Sequence, residues 1–204
     1  MVGVSVNIGA IVLADHKSEL MGQQKQLIRL NGKTLIEIIL DSLADAGIND
    51  QVIVLGDEMA EVIEAIRPKL GKIKIALNTA LEKSMASSVQ TGIIVLSNID
   101  AILIVLADQP ILDSELIKRM VEAMENNPEA LIVSPMYNGK KGHPLLFRKN
   151  LLGELMSLKD NHSVRDIIPD HFDKLLTVEA PEWSTLNIDT PEDYGRILSI
   201  YKNK

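Results

Sequence analysis

The chain of 204 residues has no cysteine, and only 3% of it is aromatic. Without cysteine it has no disulfide framework and no thiolate for metal binding or covalent catalysis. So few aromatics argue against a stacking platform for single-stranded nucleic acid. The single tryptophan, Trp183 in PEWSTL, is expected to pack against the fold. A net charge of −7 lacks the basic excess that holds phosphate backbones, so nucleic acid is not an expected partner. No apolar run approaches the ~18 residues that span a bilayer, so no membrane partner is expected either. The opening MVGVSVNIGAIVLAD has no basic leader, and the expected location is the cytoplasm. No Gly, Ser or Pro-rich linker interrupts the chain, which reads as one domain over residues 1–204.

What is present is an alternation. Apolar, β-branched runs recur at NIGAIVL, QVIVL, KIKIAL, AILIVL and EALIVS, which is the pattern of buried parallel strands. Between them, TLIEIILDSLADAG, DEMAEVIEAIRPKL, SMASSVQTGIIVLS and DSELIKRMVEAMENN have helical spacing. Ser84 is placed to cap the third of these, and Asp113 or Ser114 the fourth. Strand and helix in turn predict an α/β fold, an open and mostly parallel Rossmann-like sheet with helices on both faces. After about residue 135 the pattern changes. GHPLLF reads as a short strand after the YNGKKG turn, NLLGELMSL and SVRDII as short helices, and TPEDYGRILSIY as a closing helix with Thr190 as cap. Ligands of such sheets sit beyond the carboxyl ends of the strands.

LADQP, residues 106–110, puts Asp108 just past the end of the apolar AILIV run, where a carboxylate can hold Mg²⁺ or cap a local turn. Asp189 in NIDTPEDY precedes a helix cap and is a second candidate carboxylate. If the C-terminal segment returns across the strand ends, Asp108 and Asp189 could share one metal.

Three segments in order, LADHKSELMGQQK, LADQP and IDTPED, resemble the nucleotidyltransferase superfamily of molybdenum cofactor biosynthesis, most closely the molybdenum cofactor cytidylyltransferases. The resemblance spans nearly the whole chain. Leu13, Ala14, Ser18, Met21, Gly22, Lys25 and Leu27 keep the family's opening LAAGxSxRMGxxKxLL. NTALEKSMASSVQTG keeps Asn78, Met85, Ser87, Ser88 and Gly92 of its middle pattern, and SPMYNGKKGHPLLF matches its later one.

The resemblance implies a glycosyltransferase-A-like nucleotidyltransferase architecture and attack of a molybdopterin phosphate on the α-phosphate of CTP, or of another nucleoside triphosphate, with release of pyrophosphate. It implies Mg²⁺ held by Asp108 and Asp189, with Lys25 and Asp108 as catalytic residues. Leu13, Ala14, Gly22, Lys25 and Ser88 would face the nucleotide, and Gly142, His143, Pro144 and Arg165 the molybdopterin-type acceptor. A molybdenum hydroxylase or its maturation factor would be the downstream partner. The chain departs from the family with Asp15-His16 for Ala-Gly, Leu20 for arginine, Ser84 for glycine and Gln90 for arginine. Glycine lets backbone approach a phosphate and arginine supplies a forked charge. Their replacement supports the alternative of a family member that binds cofactor or nucleotide without transfer.

Asp15→Ala, His16→Gly and Leu20→Arg together should therefore tighten triphosphate binding. One charged hydrogen bond is worth roughly 1.5–3 kcal/mol, about tenfold or more in affinity. Calorimetric titration with CTP checks this, with Lys25→Ala as the weakened control.

Overall fold

The computed structural model describes residues 6–15, 24–57, 59–81, 83–110 and 112–202. His16, Leu20 and Gly22 lie outside the described residues. The chain begins with strand β1 (Ile8–Leu13), then a hairpin of β2 (Arg29–Leu30) and β3 (Lys33–Thr34) leading into helix α1 (Leu35–Asp45). β4 (Asp50–Leu55), α2 (Ala60–Ala65), β5 (Lys74–Leu77), α3 (Met85–Val95), β6 (Ala101–Leu106) and α4 (Ser114–Glu125) continue the alternation. The last third holds β7 (Ile132–Tyr137), β8 (Lys140–Lys141), β9 (Leu145–Arg148), α5 (Leu152–Met156), a 3-10 region Val164–Lys174, β10 (Leu175–Glu179) and α6 (Pro191–Lys202).

The main sheet runs β10-β7-β9-β6-β1-β4-β5, with β8 paired to β7. β6, β1, β4 and β5 are mutually parallel, as are β7 and β10. β9 runs antiparallel to both β6 and β7. The five apolar runs form the five expected strands, and GHPLLF supplies β9. β10 was not expected. Its sequence LLTVE lies at a sheet edge, half exposed, so it has no continuous apolar run to announce it. The β2–β3 hairpin turns on Asn31 and Gly32, both at positive φ, which is the Asn-Gly signature of a tight turn. DEMAEVIEAIRPKL is helical only over Ala60–Ala65, because Pro68 falls in the 3-10 turn that follows.

The strands are apolar on both faces because both faces are covered. Ala10 and Val12 of β1, Ile53 of β4 and Leu103 and Val105 of β6 join the core made with α1, α2, α4 and α6. Their sequence neighbours Ile11, Leu13, Val52, Val54, Ile102 and Ile104 join the opposite core, with Val89 of α3, Leu155 of α5 and Val164, Ile167 and Ile168 of the 3-10 region. The period of two along each strand thus sorts side chains into two layers of helix. Capping fixes where the helices start. Thr34 and Glu37 form a capping box on α1, Ser84 and Ser87 one on α3, and Asp113 accepts from the amide of Glu115 at α4. Trp183 is 5% exposed and belongs to the core.

α3 lies close against β1 at Gly92, where a Cβ would stand 2.5 Å from Ile11 Cγ2. Gly92→Val should therefore push α3 off the sheet at a cost of about 1–3 kcal/mol, the usual range for overpacking. Urea unfolding checks this through a lowered midpoint at unchanged slope.

Candidate active site

The parallel strands β1, β4, β5 and β6 end on one edge, so the residues just past them meet there. The ladder continues one step beyond the strands, with the amide of Ala14 bonded to Val54 O and that of Ala107 to Leu13 O, each at 3.0 Å. Gln26, buried in the 3-10 turn Lys25–Leu27, donates from its amide nitrogen to Ala14 O at 3.2 Å and to Gln24 Oε1 at 3.0 Å. This pins Lys25 over the end of β1. Its ammonium lies 3.4 Å from Asp108 Oδ2 and also hydrogen-bonds Asp189 Oδ1. Asp189 reaches this point because the amide of Ile188 donates to the carbonyl of Asp108 at 3.2 Å. The turn after it is fixed by Thr190 and Asp193, whose side chains cap each other's backbone amides at α6.

Three of the residues expected at the site, Lys25, Asp108 and Asp189, therefore converge. Leu13 and Ala14 share with Lys25, Met85 and Asp108 a cleft of about 100 Å³. Burial alone would lower the pKa of Lys25, but its hydrogen bonds and proximity to Asp189 and Asp108 outweigh this and raise it. The Asp108 carboxyl is raised above the usual range. Its burial dominates, Asp189 adds repulsion, and Lys25 offsets only part of it.

Oxygen donors that already share one cation, with Asp108 Oδ1 buried and unpartnered among the described residues, fit a hard divalent ion. Among the described residues no group of three or more His, Cys, Asp or Glu could hold a metal. A Mg²⁺ ion here would take further oxygens from substrate phosphates and water, as this ion commonly does.

Asp15 past the end of β1 and Ser88 of α3 are bonded to each other. Asp15 turns inward. Its Oδ2 accepts from Asn78 Nδ2 at 3.0 Å and from the Ser88 hydroxyl. Asn78 also donates to Ser87 Oγ at 2.9 Å and Ser88 Oγ at 3.1 Å, tying the ends of β1 and β5 to the start of α3. Ser88, expected to face the nucleotide, is instead fully buried, with its hydroxyl committed to Asp15 and Ser84 O. A carboxylate turned inward needs donors, and the Ser88 hydroxyl and the Asn78 amide supply them.

Gly142, His143, Pro144 and Arg165 form a second group at the same edge. The amide of Gly142 bonds Pro135 O at 2.8 Å, and that of His143 bonds Ser184 O at 3.0 Å. A Cβ at residue 142 would stand 2.2 Å from Ser184 O, so only glycine fits. Pro144 is buried and leads directly into β9. Arg165 donates from Nε to His143 Nε2 at 3.2 Å, and to the carbonyls of Lys141 at 3.3 Å and Gly142 at 3.2 Å. Gln109, which the sequence reading left without a role, links the two groups by donating its amide to His143 O. A glutamine following an apolar strand end is the signal that could have marked it, since a buried amide needs a partner.

Comparison with known proteins identifies the family and the fold. Residues 10–175 match the model of the MobA-like NTP transferase domain. The chain is 29% identical over 199 residues to a probable molybdenum cofactor guanylyltransferase of Natranaerobius thermophilus, covering 92% of this chain and 93% of that protein. A nucleotidyl transferase from Methanothermobacter thermautotroptrophicus superposes with a TM-score of 0.81 at 23% identity, over 96% of this chain and 98% of that one. Rv0371c of Mycobacterium tuberculosis, solved in complex with manganese, does so with a TM-score of 0.74 at 24% identity, over 95% and 98%. These structural likenesses bear on the fold. No helix among the described residues is long and apolar enough to cross a membrane.

The buried His143 ring carries a pH signature. Burial, aided by the Arg165 charge, lowers its pKa from 6.5 to about 3. Between these values the unfolded chain binds a proton that the folded chain refuses. The associated stability is thus complete above 6.5 and is lost as pH falls toward 3. His143→Asn should flatten the acid limb of the stability curve by about 1.4 kcal/mol per pH unit, read from urea unfolding at successive pH values. An unchanged slope would mean that the ring charges within the fold.

Proposed function

Because the chain belongs to the MobA-like NTP transferase domain family, we propose that it transfers a nucleotide from a nucleoside triphosphate to the phosphate of a molybdopterin-type acceptor. The observation that carries this reading is the convergence of Asp108 and Asp189 on Lys25 at the carboxyl edge of the sheet. An acceptor phosphate oxygen bonds to the α-phosphorus as the bond to the bridging oxygen of the β-phosphate breaks, and pyrophosphate leaves. Such a transfer depends on positioning and charge stabilisation more than on covalent help from the protein.

Mg²⁺ held by Asp108 and Asp189 would supply the positive charge that draws the two phosphates together. Rv0371c, a protein of the same fold, has been solved with manganese, another divalent ion. Lys25 serves the triphosphate. Its ammonium, which the two carboxylates share, is within reach of any anion entering the cleft lined by Leu13 and Ala14. Gly142, His143, Pro144 and Arg165 serve the acceptor from the neighbouring wall, joined to the Asp108 loop through Gln109.

CTP is the favoured donor, on the resemblance of LADQP, GHPLLF and IDTPED to the cytidylyltransferases. GTP is the second reading, because the relative from Natranaerobius thermophilus is named a guanylyltransferase. Pyrophosphate release measured with molybdopterin, Mg²⁺ and either nucleotide tests both. CTP turnover is expected, and Asp108→Asn should lower it by about 10²–10³, the usual effect of removing one charge-stabilising group. Turnover of GTP alone would overturn the base assignment and leave the transfer standing. Nucleotide binding without pyrophosphate would favour a protein that holds its ligand without transfer.

Metal and Lys25 compete for the same oxygens. Lys25→Met should raise the affinity for Mn²⁺ alone by about tenfold, the size of one lost charged hydrogen bond, while weakening nucleotide binding. Electron paramagnetic resonance of free Mn²⁺ reads the first effect and calorimetry the second.

A further inference from the structure

His143 sits in a polar cluster whose chemistry is more specific than acceptor binding alone requires. The residue is 8% exposed, and its Nε2 lies 3.2 Å from Arg165 Nε. A guanidinium has N–H donors and no acceptor, so Arg165 donates and Nε2 accepts. A neutral imidazole that accepts at Nε2 carries its proton on Nδ1. Arg165 is held in this orientation by the carbonyls of Lys141 and Gly142, so it cannot swing away without abandoning them.

The Nδ1 so protonated is buried without a hydrogen-bond partner among the described residues, as are Gln109 Oε1, Ser184 Oγ and Asp108 Oδ1. These residues form one connected set. Gln109 follows Asp108 and donates to His143 O, and the amide of His143 donates to Ser184 O. Buried polar atoms are rarely left unpaired. Four such atoms on residues joined through Gln109 and His143 mark this group as one that a polar ligand or ordered water can complete.

The reaction also needs no base here. A phosphate monoester has its second pKa near ~6, so at neutral pH the attacking oxygen is already largely anionic. Such an oxygen gains from a donor and gains little from a group that would take its proton.

We propose that Arg165 is a positioning residue that locks His143 as the Nδ1–H tautomer, making the ring a fixed hydrogen-bond donor to the acceptor phosphate and excluding it as an acid or base. The proposal rests on the acceptor reading above for the identity of the phosphate. Because Nδ1 is buried, the contact to the phosphate runs through a bridging water. The ring's depressed pKa agrees, because a second proton does not add at neutral pH.

Nuclear magnetic resonance of protein labelled with ¹⁵N in its histidine rings tests the lock directly. At neutral pH, His143 should show its proton on Nδ1 and a bare Nε2, and the Nδ1 proton should move on addition of inorganic phosphate. Arg165→Met should release the lock and give a mixture of tautomers. In the transfer assay, His143→Asn keeps an N–H near the Nδ1 position and should raise the acceptor KM by clearly less than His143→Gln does. His143→Gln, whose amide reaches the Nε2 position instead, and Arg165→Met should raise that KM by about tenfold, with the nucleotide KM unchanged. A wild-type proton on Nε2, an Nδ1 proton indifferent to saturating phosphate, or His143→Gln matching His143→Asn would overturn the proposal. If the wild type shows no transfer, the proposed function falls while the resonance measurements still decide the tautomer and the phosphate contact.

Discussion

The amide of Ile188 bonded to the carbonyl of Asp108 holds the site together. Residues 108 and 188 are far apart in sequence, and this backbone contact lays the C-terminal segment across the strand ends. From it follow the approach of Asp189 to Lys25, the placement of the Thr190 and Asp193 cap, and the docking of α6 onto the core through Ile197. A backbone hydrogen bond adds only about 1 kcal/mol to stability. Its importance is geometric, because it brings two carboxylates to one cation.

Around this contact the charges balance only in part. Lys25 is raised in pKa although burial opposes it, and Asp108 is raised although Lys25 opposes it. A single ammonium between two carboxylates leaves the group negative, and burial makes that excess costly. The sheet supplies the stability that tolerates it. β1 and β6 are buried on both faces by helices, and the polar residues gather where their ladder runs out.

The sequence exposes the parts of this arrangement that depend on local pattern. β1, β4 and β6 were legible because strands covered on both faces need unbroken apolar runs, and β5, at the other edge of the sheet, because KIKIAL alternates polar and apolar residues. The caps at Ser84 and Thr190 were legible because capping is decided within four residues. β10 was hidden by its edge position, where LLTVE is half exposed and carries no strong pattern. At the site, the order of Lys25, Asp108 and Asp189 was visible through resemblance, but the inward turn of Asp15 was not. Its partners Asn78 and Ser88 lie 63 and 73 residues away, and a carboxylate in a loop reads as solvent-facing until those donors are known. Gln109 was missed for the same reason, since its partner His143 lies 34 residues on.

β9 runs against its neighbours, so it starts where they finish. The chain therefore delivers Gly142, His143 and Pro144 to the carboxyl edge at the beginning of a strand, while β1 and β6 deliver Ala14 and Asp108 at their ends. A two-residue slip of β9 would carry His143 about 6.6 Å along the sheet without moving Asp108. Such a slip would break the bond from Gln109 to His143 O that joins the two groups. Residues 138–144, Gly142 excepted, can change in sequence at the start of β9 while the ends of β1 and β6 keep their register.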